Sequence, residues 1–140
     1  TLPEDVEFAR KPTAFSRTWS ILAQAYYALE KAEALEGNHE QLFKGIHNGG
    51  RVFNSGQDIA DYLDSQALPA SEFMRAFNSR DVARRLNRAT EDTRRAGIRA
   101  VPTLVVAGKY RVGMTHGAQR ALEVVEHLLE QERALLMKQS

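Results

Sequence analysis

The chain has no cysteine. That excludes disulfides, thiolate metal sites and cysteine nucleophiles, although it does not fix a compartment. No apolar run reaches the roughly 18 residues that a membrane helix needs. The opening residues Thr-Leu-Pro-Glu-Asp show no basic stretch followed by an apolar one, so no signal-peptide pattern is visible. Excess charge is missing too: the formal net charge is +1, which favours neither nucleic acid nor an anionic membrane surface. There is no Gly-x-Ser-x-Gly turn and no phosphate loop, so neither common serine hydrolysis nor nucleotide cleavage has local support. Prolines number only four, so each is read as a local boundary.

What is present describes one globular chain. It has 140 residues, 43% hydrophobic and 26% charged, enough to bury a core and too apolar for disorder. Residues 6–10 alternate apolar and polar before Pro12, which predicts a short strand. Ser16 has the place of an N-cap. Trp19, Leu22, Ala23, Tyr26 and Leu29 follow at helical spacing, with Gly37 as the stop. Leu42, Phe43 and Ile46 mark a shorter helix ending at Asn48-Gly49-Gly50. Ser55-x-x-Asp58 is a capping box with Asp for Glu, and Ile59, Tyr62 and Leu63 follow on one face. Phe73, Met74 and Phe77 predict a short helix after Pro69. Ser79 caps a long helix burying Val82, Leu86, Ala89 and Thr93, with Gly97 as its C-cap. Strands near 103–107 and 110–112 turn around Gly108. A final helix from about Gly117 to Met137 would bury Ala121, Leu122, Val125, Leu128, Leu129 and Leu135. One strand, about five helices, a hairpin and a last helix predict two layers, a small sheet with helices against it.

The most informative stretch runs from Ile98 to Val112. A helix ends at Gly97, Val101-Pro102 opens a strand, and Gly108-Lys109-Tyr110 makes the turn. Proline has no N–H and is tolerated at the first position of a strand. This wording, Gly-x-x-x-Val-Pro-Thr-x-x-Val-x-Gly-Lys-Tyr, resembles the cis-proline half of the DsbA-type thiol:disulfide oxidoreductases. Leu2-Pro3-Glu4-Asp5-Val6 is similar to the lead into that family's third strand. Residues 19–35, Gln41-Leu42-Phe43 and residues 58–63 resemble its inserted helices. The resemblance implies an α/β class, a partial thioredoxin-like fold with an inserted helical domain. Residues 1–14 and 98–140 would form an incomplete thioredoxin-like portion, and residues 15–97 the insert.

The family's Cys-x-x-Cys motif lies at a helix N-terminus, where the macrodipole lowers a thiol pKa. This chain lacks it. The resemblance therefore implies the C-terminal part of a periplasmic dithiol oxidase that introduces disulfides into secreted proteins. The chain would supply the cis-proline loop and the helical cap and be inactive alone. Two alternatives stay open. One is a redox-inactive thioredoxin-like module that binds peptides; the other is a fragment of a kappa-class glutathione transferase-like enzyme. The substrate-binding residues implied are Val101 and Pro102, with Val101 offering its backbone to an extended polypeptide in strand-addition mode. Partners implied are extended polypeptides, a membrane redox protein in the parent family, and either the missing N-terminal segment or a second copy. In the resembled fold the absent central strand lies between the strands near Val6 and Val105, so both edges would be left unpaired.

No catalytic residue, cofactor or metal is expected from this chain alone. His39, His47, His116 and His127 show no His-x-x-x-His spacing. Arg80, Arg84, Arg85, Arg88, Arg94, Arg95 and Arg99 form a basic stripe. Asp81–Arg85, Arg88–Asp92 and Glu91–Arg95 stand at helical pair spacing within it, which reads as a solvated face and not as a nucleic-acid track. Trp19, Tyr26, Tyr27, Phe43, Phe53, Tyr62, Phe73 and Phe77 read as the core of the helical insert.

Overall fold

The computed structural model describes residues 2–140. Its elements are α1 (Arg17–Lys31), α2 (Leu35–His47), α3 (Gly56–Leu63), α4 (Ala70–Phe77), α5 (Arg80–Arg95), β1 (Thr103–Val106), β2 (Tyr110–Gly113) and α6 (Ala118–Gln139). The chain forms two compact units, Thr1–Thr90 and Glu91–Ser140, with the boundary inside α5.

The first unit is a helical assembly. Ser16 caps α1 through its hydroxyl, which accepts from the Trp19 N–H at 3.2 Å. The helix stops at Lys31, six residues before the glycine that the sequence offers as its end. Glu33 takes φ 54° and the Ala34 N–H reaches back to the Leu29 carbonyl at 2.9 Å. A non-glycine residue thus fills the left-handed position that ends helices. Gly37, at φ 77°, instead marks a break near the start of α2. The capping box of α3 is complete: Ser55 accepts from Asp58, and Asp58 accepts from Ser55 and Asn54. Between α1, α2, α3 and α4 lies a continuous core in which Leu29, Ile59, Leu63, Leu68 and Phe73 are fully buried. Each such side chain contributes about 1.5–3 kcal/mol of hydrophobic burial. Gln24 extends from α1 and donates to the Phe77 carbonyl at 2.8 Å, closing the end of α4. A smaller cluster joins Tyr27 of α1 to Val82 and Ala89 of α5, with Tyr26 and Leu86 against it.

Three further expectations fail in this unit and one in the next. Residues 6–10 form no strand. A strand persists only by pairing, and among the described residues β1 and β2 pair with each other alone. Trp19 and Phe43 are not core residues; they are 41% and 51% exposed. Trp19 stacks on Phe15 at the surface, centroids 5.5 Å apart, and Phe43 lies between His39 and His47 along the outer face of α2. On α6, Leu122 and Leu135 are exposed, while Ala121 is buried and Val125, Leu128 and Leu129 are half-buried.

The second unit is an antiparallel hairpin with α6 packed on both strands. Thr103 pairs with Gly113 and Val106 with Tyr110. Ala107 and Gly108 both have positive φ, 52° and 68°, and the Lys109 N–H closes the turn onto the Val106 carbonyl at 2.9 Å. With Val106 opposite Tyr110, Ala107, Gly108 and Lys109 form a three-residue hairpin loop. Val106, Val112 and Ala121 are the buried hydrophobic residues of this unit.

Candidate functional site

The site is the loop between α5 and β1. Helix α5 ends with two backbone bonds, Gly97 N–H to the Arg94 carbonyl and Ile98 N–H to the Thr93 carbonyl, both 3.0 Å. Gly97 stands at φ 64°, the left-handed turn for which glycine is suited. The chain then runs to Val101 and Pro102, joined by a cis peptide bond. Thr103 braces this bond: its hydroxyl donates to the Ala100 carbonyl at 2.6 Å. Val101 and Pro102 are both exposed. Beyond them the side chains of β1 alternate. Val106 points into the unit and Val105 is 46% exposed. Val101, Pro102 and Val105 thus form an exposed apolar ledge at the start of a strand whose described partner lies on one side only.

Two tethers hold the ledge. Arg111 of β2 donates through Nη1 to the Gly97 carbonyl at 2.6 Å, linking the helix-ending turn to the hairpin. At the opposite end Lys109 Nζ lies 2.6 Å from Glu132 Oε2 of α6. The hydrogen bond and charge of Lys109 hold the Glu132 carboxyl below its ordinary pKa, and Glu132 raises that of Lys109. Glu132 is mostly enclosed, its side chain 13% exposed. Neither tether was legible in the sequence, because the partners lie 14 and 23 residues apart with no local pattern to join them.

The remaining candidates scatter. His39 and His47 flank Phe43 on α2, while His127 meets Gln131 on α6. Of the anticipated ion pairs, Asp81–Arg85 forms at 3.1 Å and Glu91–Arg95 at 2.9 Å. Glu91 also takes Arg94 at 2.7 Å, and the hydrogen bonds from Arg94 and then Arg95 lower its carboxyl to about 2.

An α5-type helix ending in glycine, an exposed Val-cis-Pro step, a hairpin and a terminal helix match one family closely. A family model described as DSBA-like thioredoxin domain matches residues 3–129. The chain belongs to that family. Curated relatives include "Thiol:disulfide interchange protein DsbA" of Azotobacter vinelandii, 33% identical over 135 residues, which cover 95% of this chain and 63% of that protein. The protein of the same name from Pseudomonas aeruginosa is 30% identical over 139 residues, covering 98% of this chain and 66% of its own length. The chain therefore spans a little under two thirds of these curated relatives. The crystal structure of Pseudomonas aeruginosa DsbA superposes with a TM-score of 0.91 at 28% identity, covering 97% of this chain and 72% of that one. For the Xylella fastidiosa oxidoreductase DsbA the TM-score is 0.86 at 26% identity, with 95% and 72% covered. This DsbA-family chain thus has a thioredoxin-like fold with helical insertion, mostly helical with a small two-stranded sheet.

Proposed function

We propose that this chain is the polypeptide-receiving part of a periplasmic dithiol oxidase that introduces disulfides into secreted proteins. The observation that carries the reading is the ledge of Val101, Pro102 and Val105 beside a strand paired on one side only. An extended polypeptide can add its backbone to such an edge and seat its apolar side chains on the valines. Membership of the DsbA family supports the assignment.

The oxidation itself needs atoms these 140 residues do not contain. In thiol–disulfide exchange a substrate thiolate attacks one sulfur of a disulfide, a mixed disulfide forms and one thiolate leaves. A second substrate thiolate then attacks the mixed disulfide, and the enzyme departs as a reduced dithiol. Both enzyme sulfurs must come from outside this chain, which is inactive alone. On this reading residues 1–14 and 98–140 are the thioredoxin-like portion and residues 15–97 the inserted cap. The partners are extended polypeptides, a membrane protein that reoxidises the dithiol, and a cysteine-bearing segment or second copy that covers the unpaired edge.

The test is fluorescence anisotropy with a labelled, cysteine-free unfolded polypeptide. The chain binds it saturably, and Val101→Asp or Val105→Asp weakens binding about tenfold, as a charge in a desolvated apolar contact does. Equal binding by both variants contradicts the assignment.

A further inference from the structure

Within the first unit lies a concavity of about 240 Å³. It is lined by Arg10 and Lys11 of the segment before α1, by Tyr27 and Glu30 of α1, and by Arg85 and Arg88 of α5. Four cationic side chains thus converge from two distant parts of the sequence onto one hollow. The nearby carboxylates are already engaged. Glu30 lies 3.5 Å from Arg85. Asp81 lies 3.1 Å from Arg85 and 3.7 Å from Lys31. The ion pairs Glu30–Arg85, Asp81–Arg85 and Asp81–Lys31 do not take up Arg10 or Arg88. Tyr27, 9% exposed, and Ala89, 2% exposed, give the hollow a packed wall.

We propose that this hollow binds a phosphate group, with Arg10 and Arg88 as its two principal contacts. Guanidinium pairs suit tetrahedral oxyanions because each offers a rigid fork of N–H donors. The volume suits one compact group, being smaller than the roughly 300–1,000 Å³ typical of sites for larger ligands. A nucleic-acid track is not formed, because Glu91 ties down Arg94 and Arg95 and interrupts the stripe along α5. The charge of Arg10 also reaches its neighbours: burial first and Arg10 second lower the pKa of His39, while that of Tyr26 is raised by burial and Glu30, with Arg10 opposing.

The phosphate group could belong to free phosphate or to a lipid headgroup, and two arms of one experiment separate these. In the first, sodium phosphate is titrated into the 140-residue chain at constant ionic strength, with the arginine Nε–H resonances followed by NMR. In the second, vesicles of phosphatidylcholine with and without phosphatidic acid replace phosphate. The expected result is saturable movement of the Arg10 and Arg88 signals, with binding weakened about tenfold in Arg10→Gln and in Arg88→Gln. Arg51→Gln, which alters a different surface, should bind like the unaltered chain. Response to phosphate assigns the soluble source; response only to phosphatidic acid vesicles assigns the headgroup. Should Arg88→Gln disturb α5, Arg10→Gln decides, because Arg10 lies outside every helix and strand. Absence of a saturable response in both arms, or binding that Arg10→Gln leaves unchanged, overturns the site.

Discussion

Arg111 Nη1 donates to the Gly97 carbonyl at 2.6 Å, so β2 holds the turn from which the Val101–Pro102 loop departs. One guanidinium thereby fixes both ends of the segment that offers the apolar ledge. Removing it in Arg111→Met should cost about 1 kcal/mol, the usual net worth of such a bond. Gly97→Ala should cost a similar amount, because φ 64° strains any residue with a Cβ and the new methyl would meet Arg111 Nη1 at 2.7 Å. Amide hydrogen exchange checks both. Protection should fall in residues 98–113 and stay unchanged in the core of α3 and α4.

Gly56→Ala should destabilise the helical unit by about 1–3 kcal/mol through overpacking. A Cβ there would stand 2.5 Å from the buried ring of Phe77, which the surrounding core prevents from yielding. Phe73→Ala should cost more, about 3–5 kcal/mol, by leaving a cavity where the ring is fully buried. Urea unfolding monitored by circular dichroism measures both.

Two titrations follow from the charges. The Glu91 carboxyl, held by Arg94 and Arg95, should titrate at about 2 by carboxyl-carbon NMR. Its folded pKa is depressed, so the pairing is fully present above the ordinary carboxylate value. It is lost as pH falls toward about 2. His39 acts in the same direction, in a higher pH window. Burial first and Arg10 second lower its pKa, so the unfolded chain takes up the proton more readily. Stability therefore falls as pH drops below the ordinary histidine value of about 6.5. Arg10→Gln should raise the His39 pKa part of the way, leaving the contribution of burial. A His39 titration unaffected by that change would contradict the electrostatic account.

The sequence was most legible where one residue type has one local use. Ser16, Ser55 with Asp58, and Gly97 all mark helix ends because their side chains, or the lack of one, act on backbone within a few residues. Pro102 and Gly108 were legible for the same reason. The end of α1 was not, because Glu33 takes a left-handed conformation that glycine usually occupies. The exposure of Trp19 and Phe43 was not legible either, since spacing names a helical face without saying what covers it. The strand near Val6 needed a partner that no local pattern can supply. Of the site, the loop was readable, while its tethers to Arg111 and Glu132 depended on long-range packing.

In oxidative refolding of a reduced test protein, the purified chain should give no rate above buffer, because it has no sulfur to carry a disulfide. Activity that survives repurification would contradict the exchange chemistry assigned here.

Backbone amide NMR during titration with a cysteine-free unfolded polypeptide tests the central claim most directly. The account predicts saturable shifts concentrated at Val101 and at Thr103 to Val105, with β2 and the core of the helical unit nearly unmoved. Shifts confined to residues 17–77, or none at Val101 and β1 at saturating polypeptide, would contradict it.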